Sequence, residues 1–213
     1  YDDGDRALLD YVAKPVLTAM DRRNAQSMLE HEVQARTREL QRANHHLHEE
    51  VIERRRAEKL QRALFQISEL SMQADSPEYF HSRVHAIVGT LLDASNFYIA
   101  LVSDDGEQLV FVYSVDEHSP TRKTRPLGRG LTEYVLRHRR ALLVMRGDIQ
   151  ALWATGEVQE SGMPSHCWLG IPLFGDGEVI GAVVVQSYSE QVVFTQDDQR
   201  LLTFVAQNVA RGL

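Results

Sequence analysis

The sequence predicts an α+β fold, in which an antiparallel sheet flanked by helices is preceded by a long α-helical coiled coil. Three observations favour this class. Two pairs of apolar runs each enclose an Asp-Gly, amphipathic helical patterns lie around these pairs, and the stretch 16–72 lacks glycine and proline. An Asp-Gly between apolar runs indicates a hairpin, because glycine adopts the positive φ of a tight turn.

The hairpin predicted at 168–174 and 179–185 is expected to form the middle of the sheet. Its second run is apolar on both faces, which is typical of a central strand covered on both sides. Gly181 interrupts this run and therefore marks a bulge or a close backbone approach. An earlier hairpin is predicted at 97–102 and 109–115, and it also turns on an Asp-Gly.

Helical patterns surround the two hairpins. Ser76, Pro77 and Glu78 supply an N-cap, a first-turn proline and a first-turn acid, which begin a helix expected to reach about residue 94. The remaining predicted elements are a polar loop at 116–126, a short helix from about Leu131, a strand at 141–145, a helix and loop at 148–162 lying over the sheet, and a final helix that begins at Thr195-x-x-Asp198.

The glycine-free stretch carries a heptad pattern. Seam residues recur with alternating spacings of four and three, a stripe so narrow that only a partner helix can bury it. Asn44 falls at an a position, where a buried amide fixes a parallel, in-register dimer. We therefore expect a homodimer whose seam is formed by Val33, Leu40, Asn44, Leu47 and Val51, with Thr37 on the same stripe.

The heptad pattern changes phase by one residue near 54–56. Such a discontinuity alters the supercoil winding locally. It predicts either an element that switches between two packings and transmits a signal, or a passive spacer. Beyond it, the three- and four-residue spacings resume at Ala57, Leu60, Leu64 and Ile67.

The beginning of the chain resembles its end. Residues 1–16 align without gaps on 194–209, with leucines, valines and an aspartate at matching positions. Twenty residues are too few for a domain, so 1–20 is predicted to be the closing helix of a truncated upstream domain of the same kind. Pro15 either kinks this helix or begins the next one. The predicted order is thus 1–20, then a parallel coiled coil at 21–72, then the α+β domain at 73–213.

Composition argues against several classes of function. The net charge of -7 at pH 7 argues against nucleic acid as a partner. The one cysteine, Cys167, excludes an internal disulfide and fits a reducing compartment. Apolar runs stay well short of the ~20 residues that span a bilayer, and the start of the chain lacks a signal-peptide pattern. We expect a cytoplasmic protein without a membrane partner.

Six motifs lie at 96–101, 111–117, 128–137, 168–173, 181–188 and 194–206. As a set they resemble a GAF domain. The preceding helix, with motifs at 36–44 and 53–58, is similar to the signalling helix of bacterial signal-transduction proteins. Such proteins carry tandem GAF domains upstream of a diguanylate cyclase or histidine kinase, which implies cyclic-di-GMP signalling or a two-component system. Because no output motif is present, the resemblance implies that this chain senses and relays a signal and is not itself an enzyme.

GAF domains that bind ligands do so between the sheet and its covering helix and loops. By that resemblance, aromatic residues of the sheet and its cover are candidates for a ligand pocket, although they could equally be plain core. Asp116 and Glu117 could anchor a polar ligand group or be solvated charges at a strand end. Cys167 is a further candidate. The aromatic candidates are Tyr98, Phe111, Tyr113, Tyr134, Trp153 and Trp168.

Several activities of GAF relatives are not expected here. Cyclic-nucleotide-binding relatives carry an Asn-Lys signature, but Asn96 is followed by Phe97. Relatives that attach a bilin use a cysteine beside a histidine, but His166-Cys167 has the reverse order. A single thiol cannot complete the internal-disulfide cycle of relatives that reduce free methionine sulfoxide. His81 and His85 have zinc-like spacing but lack further ligands. We assign no catalytic residue, metal or cofactor, and expect an unidentified small-molecule ligand.

Two functions remain open. The first is a sensory module that binds a small ligand in the GAF domain and relays the signal through the dimeric coiled coil. The alternative is a ligand-free dimerisation and transmission module. A roomy polar pocket favours the first, whereas a cavity filled by Tyr98, Tyr113 and Trp168 favours the second.

Overall fold

A computed structural model describes residues 3–73, 76–119, 124–159 and 162–210 of the 213-residue chain. The chain divides into two compact units, Tyr1–Arg56 and Ala57–Leu213. The described part of the first unit is helical throughout, and the second unit contains a six-stranded sheet with its covering helices.

A single helix, α1, extends over Asp3–Gln73. The absence of glycine and proline after Pro15 permits this length, because both residues destabilise helix interiors. The helix continues through Pro15, so no new helix begins there. The seam side chains Val33, Leu40 and Leu47 are each more than half exposed. The side chains of 1–16 lie outside the described residues, so the relation of 1–20 to an upstream domain stays a prediction.

The sheet consists of β1 (Asn96–Val102), β2 (Gln108–Val115), β3 (Arg125–Pro126), β4 (Leu142–Met145), β5 (Cys167–Gly175) and β6 (Glu178–Ser187). The strands lie in the order β3-β2-β1-β6-β5-β4, and every pair is antiparallel. The two predicted hairpins are β1–β2 and β5–β6, and they join along the central strands β1 and β6. The short strand β3 lies in the segment predicted to be a polar loop, and it pairs with the start of β2.

Among the described residues, four helices follow α1: α2 (Pro77–Val88), α3 (Leu131–His138), α4 (Arg146–Ala154) and α5 (Gln196–Val209). Ser76 caps α2 as predicted, its hydroxyl accepting the Tyr79 amide at 3.2 Å. The predicted end of α2 near residue 94 is wrong. After Gly89, the amides of Thr90 and Leu91 bond to carbonyls three residues back, and these tight turns end the helix.

Two glycines determine how the hairpins fit together. Gly177 has a φ of +82° in the β5–β6 turn. Residues with a side chain rarely adopt this backbone conformation. Gly181 permits the close approach that its position predicted, since a Cβ there would lie 2.3 Å from the Ala100 carbonyl oxygen on β1. The junction between the two hairpins therefore depends on a missing side chain.

The two faces of the sheet are covered differently. The core face carries Phe97, Ile99, Leu169, Val183 and Val185, and it is packed with side chains of α2, α5 and the end of α1. The opposite face, here called the cavity face, is covered by α3, α4 and their loops. Its buried apolar residues form a smaller cluster of Tyr98, Ala100, Leu109, Val135, Val144, Ile149, Trp168, Ala182 and Val184.

The stripe of α1 that follows the predicted phase change packs on the domain. Within the second unit, Ala63 and Ile67 are buried in the core, and Leu70 packs against it. The spacings of four and three between these residues belong to a core-facing stripe of an amphipathic helix. Ile67, expected to resume the dimer pattern, is fully buried by its own domain.

No helix in the described part of the chain is both long and apolar enough to cross a bilayer.

Candidate functional site

A cavity of about 80 Å³ lies on the cavity face. Its floor is the sheet, and its described walls come from the start of α3, the end of α4 and the loop residues Ser119, Gln159 and 162–165. The described lining residues are Tyr98, Ser119, Arg125, Gly130, Leu131, Thr132, Ile149, Trp153, Gln159, Gly162, Met163, Pro164, Ser165, Trp168, Gln186 and Tyr188.

Strand alternation brings two aromatic side chains to the floor. Tyr98 on β1 and Trp168 on β5 are 3% and 2% exposed. The Tyr98 hydroxyl shares a hydrogen bond of 2.9 Å with the Thr132 hydroxyl at the start of α3. Trp168 lies over Gly170, where a Cβ would come within 2.2 Å of the indole. Because Gly170 has no side chain, the Trp168 indole can lie against it at the floor of the cavity.

A buried polar network forms one side of the cavity. Gln186, near the end of strand β6, donates from its amide nitrogen to the Asp116 carboxylate and the Tyr188 hydroxyl, both at 2.7 Å. Its amide oxygen accepts from the Ser165 hydroxyl at 3.1 Å. Tyr188 in turn donates to Asp116 at 2.9 Å. Since hydrogen bonds in a low-dielectric interior reinforce one another, this network holds its side chains in fixed positions.

The two acidic candidates lie in different environments. Asp116 is only 5% exposed and also accepts the backbone amides of His118 and Ser119. Its carboxylate is therefore not a solvated charge at the strand end, which was one of the two alternatives. It accepts hydrogen bonds from Gln186 and Tyr188. Glu117 is exposed. Its carboxylate accepts from the Asn96 side chain at 2.9 Å, outside the cavity lining.

Arg125 is the charged side chain among the described lining residues. Its guanidinium donates to the buried carboxylate of Glu133 on α3, which also accepts the Gly128 amide at 2.9 Å. Burial by itself would raise the pKa of Glu133, but the hydrogen bonds from Arg125 and Gly128 hold that pKa below its ordinary value. The ion pair thus ties β3 to the start of α3 at the mouth of the cavity.

The rim brings the second tryptophan to the site. Trp153 comes from α4, and Gln159 and Ser165 come from the loop between α4 and β5. The Gln159 amide donates to the Arg129 carbonyl at 2.7 Å, which fastens this loop to the segment before α3. Both tryptophans of the chain therefore line the cavity.

Two aromatic candidates lie on the cavity face without lining the cavity. Phe111 packs behind Tyr98, with ring centroids 5.5 Å apart in an edge-to-face arrangement. Tyr134 on α3 is buried and stacks on His138, with centroids 3.9 Å apart. Both side chains contribute to packing of the walls.

Tyr113 and Cys167 belong to the core face, so they do not meet the other candidates. Tyr113 bonds to His85 of α2 at 2.9 Å and packs against Phe97. A β-bulge is the cause: Ile99 pairs with Tyr113 and Ala100 with Phe111, which leaves one extra residue on β2 and reverses the alternation. Cys167 is fully buried, and burial raises the pKa of its thiol.

Several residues that line the cavity were not predicted from the sequence. Arg125, Thr132, Ser165, Gln186 and Tyr188 come from four separate places in the chain, since Gln186 and Tyr188 are two positions apart. One signal was available, because Gln186 follows three consecutive valines in a strand that is buried on both faces. A polar residue in such a strand needs a buried partner. The position of the other four depends on tertiary packing.

The lining contains groups that can bind a small polar molecule. No His, Cys, Asp or Glu occurs among its described residues. The described part of the chain also contains no group of three such side chains that could hold a metal ion. Hydroxyls, amides, a guanidinium and two indoles can instead recognise a small polar molecule by hydrogen bonds and apolar contact.

Comparisons with known proteins agree with this geometry. A family model described as GAF domain matches residues 75–213. Among solved structures, the GAF domain of a phosphoenolpyruvate-protein phosphotransferase from Coxiella burnetii is 18% identical, with a TM-score of 0.58, covering 72% of this chain and 92% of that one. Residues 122 to 287 of a methyl-accepting chemotaxis protein are also 18% identical, with a TM-score of 0.57 and coverages of 68% and 93%.

An enzyme occurs among the similar structures. Free methionine-R-sulfoxide reductase from Neisseria meningitidis, solved with its substrate, is 18% identical, with a TM-score of 0.57 and coverages of 72% and 87%. At this identity the similarity shows a common fold. No curated protein sequence matches the chain.

Proposed function

The chain belongs to the GAF domain family, and on that premise we propose that it is the sensory module of a bacterial signal-transduction protein. GAF domains are generally sensory and regulatory. In this proposal the cavity binds a small ligand, and a dimeric coiled coil formed by α1 relays the signal. A diguanylate cyclase or histidine kinase outside this chain is the output that we propose.

The observation that carries the ligand proposal is the asymmetry of the sheet. The central strand β6 carries three consecutive valines up to Val185, and its next residue, Gln186, is held by Asp116, Ser165 and Tyr188 beside a cavity. Burying the polar side chains of Asp116, Ser165 and Gln186 costs free energy unless each is hydrogen-bonded. A binding role explains why polar side chains occupy this end of the sheet.

The cavity limits the class of ligand. Its volume of about 80 Å³ is well below the ~300–1,000 Å³ typical of sites for drug-sized molecules. We therefore propose a small polar molecule, with hydrogen-bonding groups towards Gln186, Thr132 and Arg125 and an apolar part against the indoles. Because Glu133 balances the charge of Arg125, a strongly charged ligand is not required.

Ligand binding is best tested by the intrinsic fluorescence of the whole chain. Because both tryptophans line the cavity, a ligand from a panel of amino acids, small carboxylic acids and nucleobases is expected to change the emission. Gln186→Leu should abolish the response, whereas Gln108→Leu, at an exposed position on β2, should retain it. Equal responses in both variants would contradict binding at this site.

The relay proposal rests on the exposed heptad stripe of α1. Leu40 is 69% exposed and Leu47 is 58% exposed, and a second copy of the helix would bury both. Asn44 is proposed to fix the parallel register. Asn44→Leu should therefore raise dimer stability while permitting other orientations or oligomers, as measured by sedimentation and cysteine cross-linking. Unchanged oligomer state and orientation would contradict the role of Asn44.

A ligand-free dimerisation and transmission module is the second candidate. The small cavity volume favours it, as does the network in which Gln186 already bonds to protein groups on both its amide atoms. Under this alternative, the fluorescence panel gives no response in any variant, while dimerisation through α1 persists.

A further inference from the structure

The strand β4 is the open edge of the sheet. It stands at one end of the strand order, and within the described part of the chain only β5 pairs with it. The strand at the other edge, β3, has two residues, and one of them is Pro126, which has no backbone amide to donate. β4 has four residues and no proline. It is therefore the edge at which an additional strand can pair.

The register of β4 determines which backbone groups point away from the sheet. The Arg146 amide donates at 2.8 Å to the carbonyl of His166, directly before β5. Because backbone groups in an antiparallel pair alternate in direction, those of Leu143 and Met145 point outwards. The outward amide of Met145 donates to the Asp148 carboxylate at 3.0 Å. The amide and carbonyl of Leu143 have no partner among the residues that the structure describes.

The side chains along this edge are apolar and half-buried. Leu143 and Met145 lie against the core-face cluster, and Leu142 lies against the cluster of the cavity face. A strand beside β4 would cover these side chains and would pair with the free backbone groups of Leu143. Proteins bind extended peptides in this way, as an added strand at a sheet edge.

The surroundings of β4 are strongly basic. Between Arg122 and Arg146 the sequence has seven arginines and one lysine but a single acid, in a chain whose net charge is -7. That acid, Glu133, is buried and bonds to Arg125. Arg140 and Arg146 are exposed on either side of β4, and neither forms an ion pair with another described residue. The charge of this edge therefore complements an acidic partner.

We propose that β4 binds an extended acidic segment of another protein as a seventh strand of the sheet. Its backbone pairs with Leu143, and its carboxylates meet Arg140 and Arg146, whose guanidinium groups can hold a carboxylate by two hydrogen bonds each. Two acids of the same region are already engaged, since Asp148 accepts the Met145 amide and Glu178 pairs with Arg139. The proposal is independent of the ligand and of the dimer proposed above.

A second copy of this chain does not suit the edge. Antiparallel pairing of two β4 strands about Leu143 places Arg140 of one copy opposite Arg146 of the second copy. Like charges directly opposite each other destabilise a strand pair, and charged residues at an edge prevent edge-to-edge association. The same arginines that oppose a second copy attract an acidic segment.

Short synthetic peptides test the identity of the occupant. One set has alternating valine, isoleucine, threonine and tyrosine in the centre and glutamates at both ends, and the matched set has lysines at both ends. We expect the glutamate set to bind the whole chain, measured by fluorescence anisotropy of a label on the peptide, and the lysine set not to bind. Arg140→Glu should raise the Kd about tenfold or more. Arg83→Glu, at an exposed position on α2, is the matched control and should leave the Kd unchanged.

Two further measurements separate strand addition from attraction between charges. N-methylation of the central peptide amides removes the donors that would pair with Leu143 and keeps the glutamates, so it should abolish binding. Hydrogen exchange followed by NMR gives the second readout. The peptide should slow exchange of the outward Leu143 amide about tenfold or more, whereas the Val144 amide, which points towards β5, should exchange at an unchanged rate.

Each contrary result overturns a stated part of the proposal. Equal binding of the methylated peptides, or an unchanged exchange rate at Leu143, would rule out strand addition. Equal binding of the lysine set would rule out an acidic partner. If the glutamate set does not bind, or if only a single-stranded oligonucleotide or an anionic vesicle binds to this surface, the whole proposal is wrong.

Discussion

The two faces of one sheet are filled in different ways. On the core face, Phe97, Ile99 and Val183 are fully buried beneath α2 and α5, and the space between sheet and helices is packed with apolar side chains. On the cavity face, Tyr98 and Trp168 are just as buried, but they adjoin hydrogen-bonded side chains and a cavity. Neighbouring residues of a strand therefore pack into the core on one side and adjoin a cavity on the other.

The difference shows how a stable sheet can carry a cavity with a polar lining. Apolar burial on the core face supplies the folding free energy, at roughly 25 cal/mol per Å². The cavity face can then include polar groups and empty volume, both of which cost stability. Substitutions on the core face should mainly change stability, whereas those on the cavity face should mainly change ligand response.

The largest effect is expected for Phe97→Ala. Phe97 is fully buried and stacks on His85, with ring centroids 5.0 Å apart. Its removal leaves a cavity in the core face and should lower the free energy of unfolding by about 3–5 kcal/mol, measured by urea denaturation. Phe174→Ala, at a position 43% exposed, is the control. Similar losses in both would contradict the assignment of the core face.

Arg125→Met should have the next largest effect. It leaves the carboxylate of Glu133, which is 2% exposed, without its cationic partner. Since Arg125 is itself about a third exposed, we expect a loss of about 2 kcal/mol in unfolding free energy. Arg200→Met breaks an exposed pair with Asp197 and should cost less than about 0.5 kcal/mol. Equal costs would show that the buried pair has no special role.

Gln186→Leu tests the polar network directly. It removes the donor to Asp116 and Tyr188 and leaves a buried carboxylate less satisfied, which should cost about 1–3 kcal/mol. Thermal unfolding compared with Gln108→Leu measures the difference. A stabilised Gln186→Leu variant would show that the network is not needed to hold Asp116.

His81 gives the core face a dependence on pH. It is 3% exposed, and neither ring nitrogen has a hydrogen-bond partner among the residues that the structure describes. Burial lowers its pKa, which nearby Glu78 partly opposes, while Tyr113 and His85 are the other titratable groups beside it. A lowered pKa means that the unfolded chain binds this proton more readily, so its contribution is complete above about pH 6.5 and is lost as the pH falls towards the folded-state pKa.

His81→Phe should therefore reduce the loss of stability between pH 7 and pH 5. Denaturation midpoints of the parent and the variant, measured across this range and referred to pH 8, give the comparison. Parallel curves would mean that His81 does not titrate on unfolding.

The smallest effect on stability should come from the two tyrosine hydroxyls. Tyr98 bonds to Thr132 on the cavity face, and Tyr113 bonds to His85 on the core face, each at 2.9 Å. Tyr98→Phe and Tyr113→Phe should each cost about 1 kcal/mol. Only Tyr98→Phe should also weaken the fluorescence response to a ligand. If both variants weakened the fluorescence response equally, the proposed difference between the two faces would be contradicted.

Much of the fold could be predicted from local patterns. The Asp-Gly turns, the proline after Ser76 and the capping pair Thr195 and Asp198 each act through neighbouring residues, and the structure has them as expected. The strand β3 could not be predicted in this way. It contains two residues, including a proline, and it forms because β2 offers an edge.

The site was less predictable because its geometry depends on register. Phe111 and Tyr113 have the same strand parity, and one bulge sends them to opposite faces. Cys167 and Trp168 are adjacent in β5, and successive side chains of a strand point to opposite faces. Their separation onto different faces could therefore have been predicted. The polar network combines side chains that are up to 72 positions apart, and no local pattern specifies such contacts.

We propose that one chain combines a ligand-binding face with a dimerising helix. Native mass spectrometry of the purified whole chain tests both parts together. We predict a dimer that carries a discrete additional mass, and we predict that this mass is absent from Gln186→Leu while the dimer remains. A monomer without added mass would contradict the account.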